Sequence, residues 1–204
     1  MSGVAPPAHG LPADVRRRIE TFVRPLYAGL DGVQTFDRVA RLEGWLSELG
    51  AEALEEREWL ELLTLFHGVA DRLGRGGAGS RLELFLRSLG VDGSWVRELP
   101  AALERIESRP QDEAEELLHD ALLLEASGVL AAARRLMLAG KKRVEPARAA
   151  SRLSAGPTLD RFRTARGRQL AAPLRREAES WIAAFVRSVE RAQAIGTRPA
   201  KPSS

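Results

Sequence analysis

Three histidines and no cysteine are what this chain offers for metal or nucleophilic chemistry. Disulfides, thiolate metal sites and cysteine nucleophiles are thereby excluded. His9 lies in a Pro/Gly-rich stretch with nothing to hold it rigidly. His67 sits inside the most apolar stretch of the chain, and His119 precedes Asp120 within Glu115–Glu125. A lone histidine in a buried helix is most often a satisfied core residue. Two features speak for more. Asp71 follows His67 by four residues, so on one continuous helix both would share a face and could share a cation or a hydrogen bond. Asp120 stands in another very apolar segment, where an unpaired carboxylate is costly to bury. Ser94 and Ser127 have no base at a recognisable spacing, so a Ser-His-Asp hydrolase finds no support.

The elements that must position these groups all read as helices. Val15, Ile19, Phe22, Val23, Leu26 and Tyr27 recur at helical spacing after Pro12-Ala-Asp14, with Pro25 set to bend or shorten that helix. Gly29–Gly32 reads as a break. A second helix carries Phe36, Val39, Leu42, Trp45, Leu46 and Leu49 and stops at Gly50. A third is predicted from Glu55 to Leu73, apolar enough in its middle to be central. Gly74–Gly79 lacks the Lys-Ser/Thr ending of a phosphate loop and reads as a linker. Further helices are predicted over Arg81–Leu89, Ser94–Ile106 and Asp112–Ala139, the last with a kink at Ser127-Gly128. Lys141–Pro157 reads as basic loop with a short helix, followed by a long helix from about Arg168. No strand pattern, repeat or second core is evident. The expected class is all-α, a single-domain helical bundle over residues 13–195, flanked by disordered tails at 1–12 and 196–204.

Charge is unevenly spread. Residues 130–204 hold 17 Lys/Arg against 5 Asp/Glu, while the rest holds 14 against 23, for a net charge of +3. A basic helical face complementing an acidic one accounts for this, within the chain or in a homo-oligomer. The run Arg161–Arg168 is the best nucleic-acid candidate, but it lacks a paired helix-turn-helix signature and carries one aromatic, so nucleic acid is a minor expectation. No apolar run approaches the ~18 residues of a membrane span, and the first residues lack the order of a signal peptide. A cytoplasmic setting is expected.

Several segments resemble the HD superfamily of metal-dependent phosphohydrolases. Phe66-His-Gly-Val-Ala-Asp71 is similar to its second motif, where a helix ends in Leu-His-Asp before a small-residue turn and a further Asp. Leu118-His-Asp-Ala-Leu-Leu-Leu-Glu-Ala-Ser-Gly128 and the small residues leading to Arg134 resemble the last metal motif of a bacterial branch. Thr35-Phe-Asp-Arg-Val39 lies where the family has His-x-x-Arg-Val. Phe162-Arg-Thr-Ala-Arg-Gly-Arg-Gln-Leu-Ala-Ala172 and the helix after it look like the closing segment. The resemblance spans about residues 15–190, with the segments in family order.

The resemblance implies a helical bundle of the HD/PDEase type binding a divalent ion (Mn, Fe, Ni, Zn or Mg) through a His, a His-Asp pair and a distant Asp. This chain keeps His67 and Asp120 but has Thr35 for the first His and Gly68 for the paired Asp. A rival register takes His119-Asp120 as the pair, with His67 first and Asp160 last; Asp160 is more simply a first-turn acid. Arg38 and Arg134 match basic positions suited to phosphate, Asp71 is the catalytic candidate, and Asp37 lies beside the missing first His. The implied function is a phosphohydrolase-like protein with an incomplete metal site, non-catalytic or weakly active, binding a nucleotide, a phosphate ester or a protein partner. The alternatives are an active phosphohydrolase, in which metal activates water for attack on phosphorus, and a helical nucleic-acid-binding protein.

Overall fold

The computed structural model describes residues 10–28, 35–73 and 80–196. Within them the protein is all-α, as the hydrophobic periodicity predicts. Its helices are α1 (Ala13–Tyr27), α2 (Asp37–Leu49), α3 (Arg57–His67), α4 (Arg81–Ser88), α5 (Gly93–Arg105), α6 (Glu113–Glu125), α7 (Gly128–Lys141), α8 (Pro146–Ala150) and α9 (Ala165–Gly196). The chain groups into two compact units, residues 1–122 and 123–204. His9, the Gly29–Gly32 break, the Gly74–Gly79 linker and the tail beyond Gly196 lie outside the described residues.

In the first unit α3 is the central element, packed against α1, α2 and α5. Trp59, Leu60, Leu62, Leu63, Leu65 and Phe66 are all at most 2% exposed. Burial on every side follows from a helix apolar nearly all round, and each fully buried Leu or Phe stabilises by about 1.5–3 kcal/mol. Phe22 of α1 stacks on Phe85 of α4 at 4.3 Å and meets Phe66 at 6.4 Å. α1 runs through Pro25 and ends two residues later, with Ala28 N–H bonded to the Pro25 carbonyl. Gly50 stops α2 with φ +90°, and Asp92 caps α5 by accepting from Ser94 N–H at 2.7 Å.

Two predicted helices are interrupted. The third ends at His67, not Leu73, and the chain turns through Gly68 and a short 3-10 turn over Ala70–Arg72. The apolar pattern carried on through Val69 and Leu73, but Val69 is buried from outside the helix. The expected kink at Ser127-Gly128 is a complete break. Ser127 sends its hydroxyl back to the Leu123 carbonyl at 2.7 Å. Gly128 then takes φ +81°, a conformation costly for any residue with a Cβ, and α7 starts there.

In the second unit α9 is the spine, in contact with α7 and α8. Pro173 lies inside it. Arg175 ties α9 to the preceding loop through the carbonyls of Gly156 and Pro157. Among the described residues no helix is long and apolar enough to cross a membrane.

Candidate functional site

A cavity of about 960 Å³ opens in the first unit, larger than two others of about 270 and 450 Å³. Its chemistry comes from six side chains: Arg38 of α2, His67 at the end of α3, Asp71 of the 3-10 turn, and Arg97, Glu104 and Glu107 on or just after α5. The backbone of Gly68 completes that wall.

His67 is held with little freedom. It is 9% exposed, and its Nε2 lies 3.4 Å from Glu107 Oε1. Its Nδ1 is buried with no hydrogen-bond partner. The tautomer that suits this setting places the proton on Nε2, facing Glu107, and leaves Nδ1 as a bare lone pair rather than an orphaned donor. Hydrogen bonding from His67 lowers the Glu107 pKa; partial burial opposes this, and the charges of His67, Arg38 and His119 add to the lowering. Arg38 also acts on Tyr27, whose phenol is pushed up by burial and pulled down by a backbone hydrogen bond from Gly68 and by the Arg38 charge.

Glu107 reaches this wall because the end of α5 is anchored to the start of α6. Arg105 grips the fully buried Glu115 carboxylate through Nε at 3.1 and 3.0 Å and through Nη2. It also meets Glu98 at 2.6 Å. Glu115 in turn accepts from Gln111 N–H at 2.8 Å. Between these anchors His119 Nδ1 bonds the Ile106 carbonyl at 2.7 Å. With that contact and only 3% exposure, His119 is committed to the fold beside the site.

The structure therefore brings together His67, Gly68, Asp71 and Arg38 from the sequence-predicted set. Asp71 arrives by a different route than a shared helix face, because α3 ends at His67 and Asp71 is an exposed turn residue. Asp120 is completely buried and is not among the lining residues. Thr35 works at the entry to α2, where its carbonyl accepts from Arg38 N–H at 2.9 Å and its hydroxyl faces the Asp37 carboxylate. Arg134 lies in the second unit, ion-paired with Glu125. Asp160 is exposed in a 3-10 turn of that unit. Arg168, in the basic run, donates to the Phe162 carbonyl at 2.7 Å.

A divalent ion at His67 would need further oxygen or nitrogen donors converging on it. Among the described residues no group of three or more His, Asp or Glu side chains is gathered so that it could hold a metal ion. Gly68 offers no side chain, and the Glu107 carboxylate already faces the His67 imidazole. The described residues do not fit such an ion.

Glu107, Arg97 and Glu104 are the charged lining residues that sequence reasoning missed. Glu107 follows a helix end and precedes Ser108-Arg-Pro110, a setting with no motif. Arg97 and Glu104 look like any solvated helix face.

No family model matches the chain, and no curated protein matches it in sequence. Among solved structures it is similar to YpgQ of Bacillus subtilis, crystallised in complex with ADP, with a TM-score of 0.66. The chain has the fold of YpgQ. The likeness covers 86% of this chain and 95% of YpgQ at 18% sequence identity, so it speaks to fold alone.

Proposed function

We propose that this protein is a phosphohydrolase-like member of the HD type that binds a nucleotide or related phosphate ester in the Arg38–His67 cavity, with an incomplete metal site and little or no catalysis. The observation that carries this reading is the lining itself. Arg38 and Arg97 supply planar guanidinium forks suited to phosphate oxygens. Asp71, Glu104 and Glu107 supply acceptors for the hydroxyl and amino donors at the other end of a nucleoside phosphate. Two further facts support it: the segments resembling the HD motifs occur in family order, and YpgQ, which shares the fold, was crystallised with ADP. A second reading, weak hydrolysis, is favoured by the His67–Glu107 contact at 3.4 Å, since a carboxylate that orients an imidazole readies it for proton transfer.

Calorimetric titration of ADP, AMP and inorganic phosphate into the full chain tests the binding reading. Saturable one-site binding of a nucleotide, lost in an Arg38→Ala/Arg97→Ala variant, is the expected result. Absence of binding by all three, or binding indifferent to both arginines, would end it. Phosphate release measured alongside, for wild type and His67→Ala, separates binding from turnover.

A further inference from the structure

Gly68 follows the last residue of α3, and the resemblance to the HD motifs places there the carboxylate that would pair with His67. The missing side chain has a steric cause. A Cβ on Gly68 would stand 2.6 Å from both Cε1 and the hydroxyl oxygen of Tyr27, and 2.9 Å from Cζ. Carbon contacts settle at about 3.5–4.0 Å, so any residue but glycine must push the ring aside. The ring has little room to yield. It is 4% exposed, its hydroxyl donates to the Leu65 carbonyl at 3.2 Å, and Phe36 meets it edge-on at 5.5 Å and 85°. Arg72 pins the turn to the end of α1 by donating to the Leu26 and Ala28 carbonyls at 2.8 and 3.0 Å.

We propose that Tyr27 sets the ligand class of the cavity: its ring fills the side-chain space at position 68, bars a carboxylate at that position, and leaves a site that takes metal-free phosphate esters. This inference rests on the reading of the cavity as a nucleotide site, and it sharpens that reading to the free anion. A metal-using site shares phosphate oxygens with the cation. Here Arg38 and Arg97 need those oxygens bare, so magnesium in solution, which coordinates the phosphates of ADP, competes with the protein.

The test has three arms on the full chain. Thermal unfolding compares Gly68→Ala in the wild-type background and in a Tyr27→Leu background; leucine keeps the core apolar while removing the atoms that crowd position 68. Gly68→Ala is expected to lower Tm by roughly 5 °C beside Tyr27 and far less beside leucine. An equal cost in both backgrounds, or none beside Tyr27, overturns the proposal. In the second arm manganese is titrated into wild type without nucleotide. No saturable site is expected, and one-site binding abolished by His67→Ala overturns it. In the third arm ADP affinity is measured in EDTA and in excess magnesium. A several-fold loss with magnesium is expected, and tenfold tighter binding with magnesium overturns the proposal. If ADP binds in neither condition the nucleotide reading fails, while the first arm still decides what Tyr27 does at position 68.

Discussion

His67 Nε2 and Glu107 Oε1 stand 3.4 Å apart on one wall of the cavity, joining the end of α3 to the residue pair that follows α5. An imidazole with one buried, unpartnered nitrogen thus faces a carboxylate whose pKa it lowers.

This contact has a pH signature. A carboxyl whose folded pKa is depressed stabilises the fold above its unfolded value of about 4.3 and loses that contribution as pH falls through the lowered folded value. The stability gap between wild type and Glu107→Gln is therefore expected to hold steady above about pH 5 and to close in more acid solution. Urea unfolding across that range checks it. The Glu107 side chain is 73% exposed, so the gap is small and shrinks with salt. A gap that widens as the solution is acidified contradicts the assignment.

Arg38 and Arg134 are expected to behave in opposite ways. Arg38→Ala should weaken ADP binding about tenfold or more, the scale of a lost charged hydrogen bond, with little change in Tm. Arg134→Ala should leave ADP affinity alone and cost about 2–3 kcal/mol, because Glu125, whose side chain is 9% exposed, loses its cation. The reverse split would give Arg134 the phosphate role that the sequence resemblance suggests.

Arg105→Ala should destabilise the first unit by about 3 kcal/mol or more, since it strands the fully buried Glu115 carboxylate. Chemical denaturation measures the loss. Glu98→Ala, which removes a side chain that is itself 50% exposed, is expected to cost well under half as much, and parity between the two would mean that burial of Glu115 is not the cause.

Phe66→Ala should cost about 3–5 kcal/mol, because Phe66 is wholly buried on α3 and in ring contact with Phe22. A cost under about 1 kcal/mol would show that the α1–α3 contact repacks freely.

Much of the fold was legible because it depends on periodicity. Ile19, Val23, Leu42, Leu46 and Leu63 announced their buried faces by spacing, and Gly50 announced its helix end by type. The end of α3 was not legible: Gly68 is tolerated within helices, and Val69 and Leu73 continued the apolar rhythm after the hydrogen-bond ladder had stopped. Half of the cavity was legible as well. His67, Arg38 and Asp71 stood in recognisable motifs, whereas Glu107 and Arg97 became lining residues only through the placement of α5. Tyr27 gave no signal, since its role lies in a close approach to a residue 41 positions away in the chain.

The hold of Arg72 on the Leu26 and Ala28 carbonyls has a mechanical consequence. With Tyr27 bonded to Leu65 from the same end of α1, the helix terminus and the turn over residues 68–72 are tied to each other by side chains from both. A ligand that presses on residues 68–72 is felt first at the last turn of α1, some forty residues upstream, and slowed amide exchange there would register cavity occupancy without any probe inside the cavity.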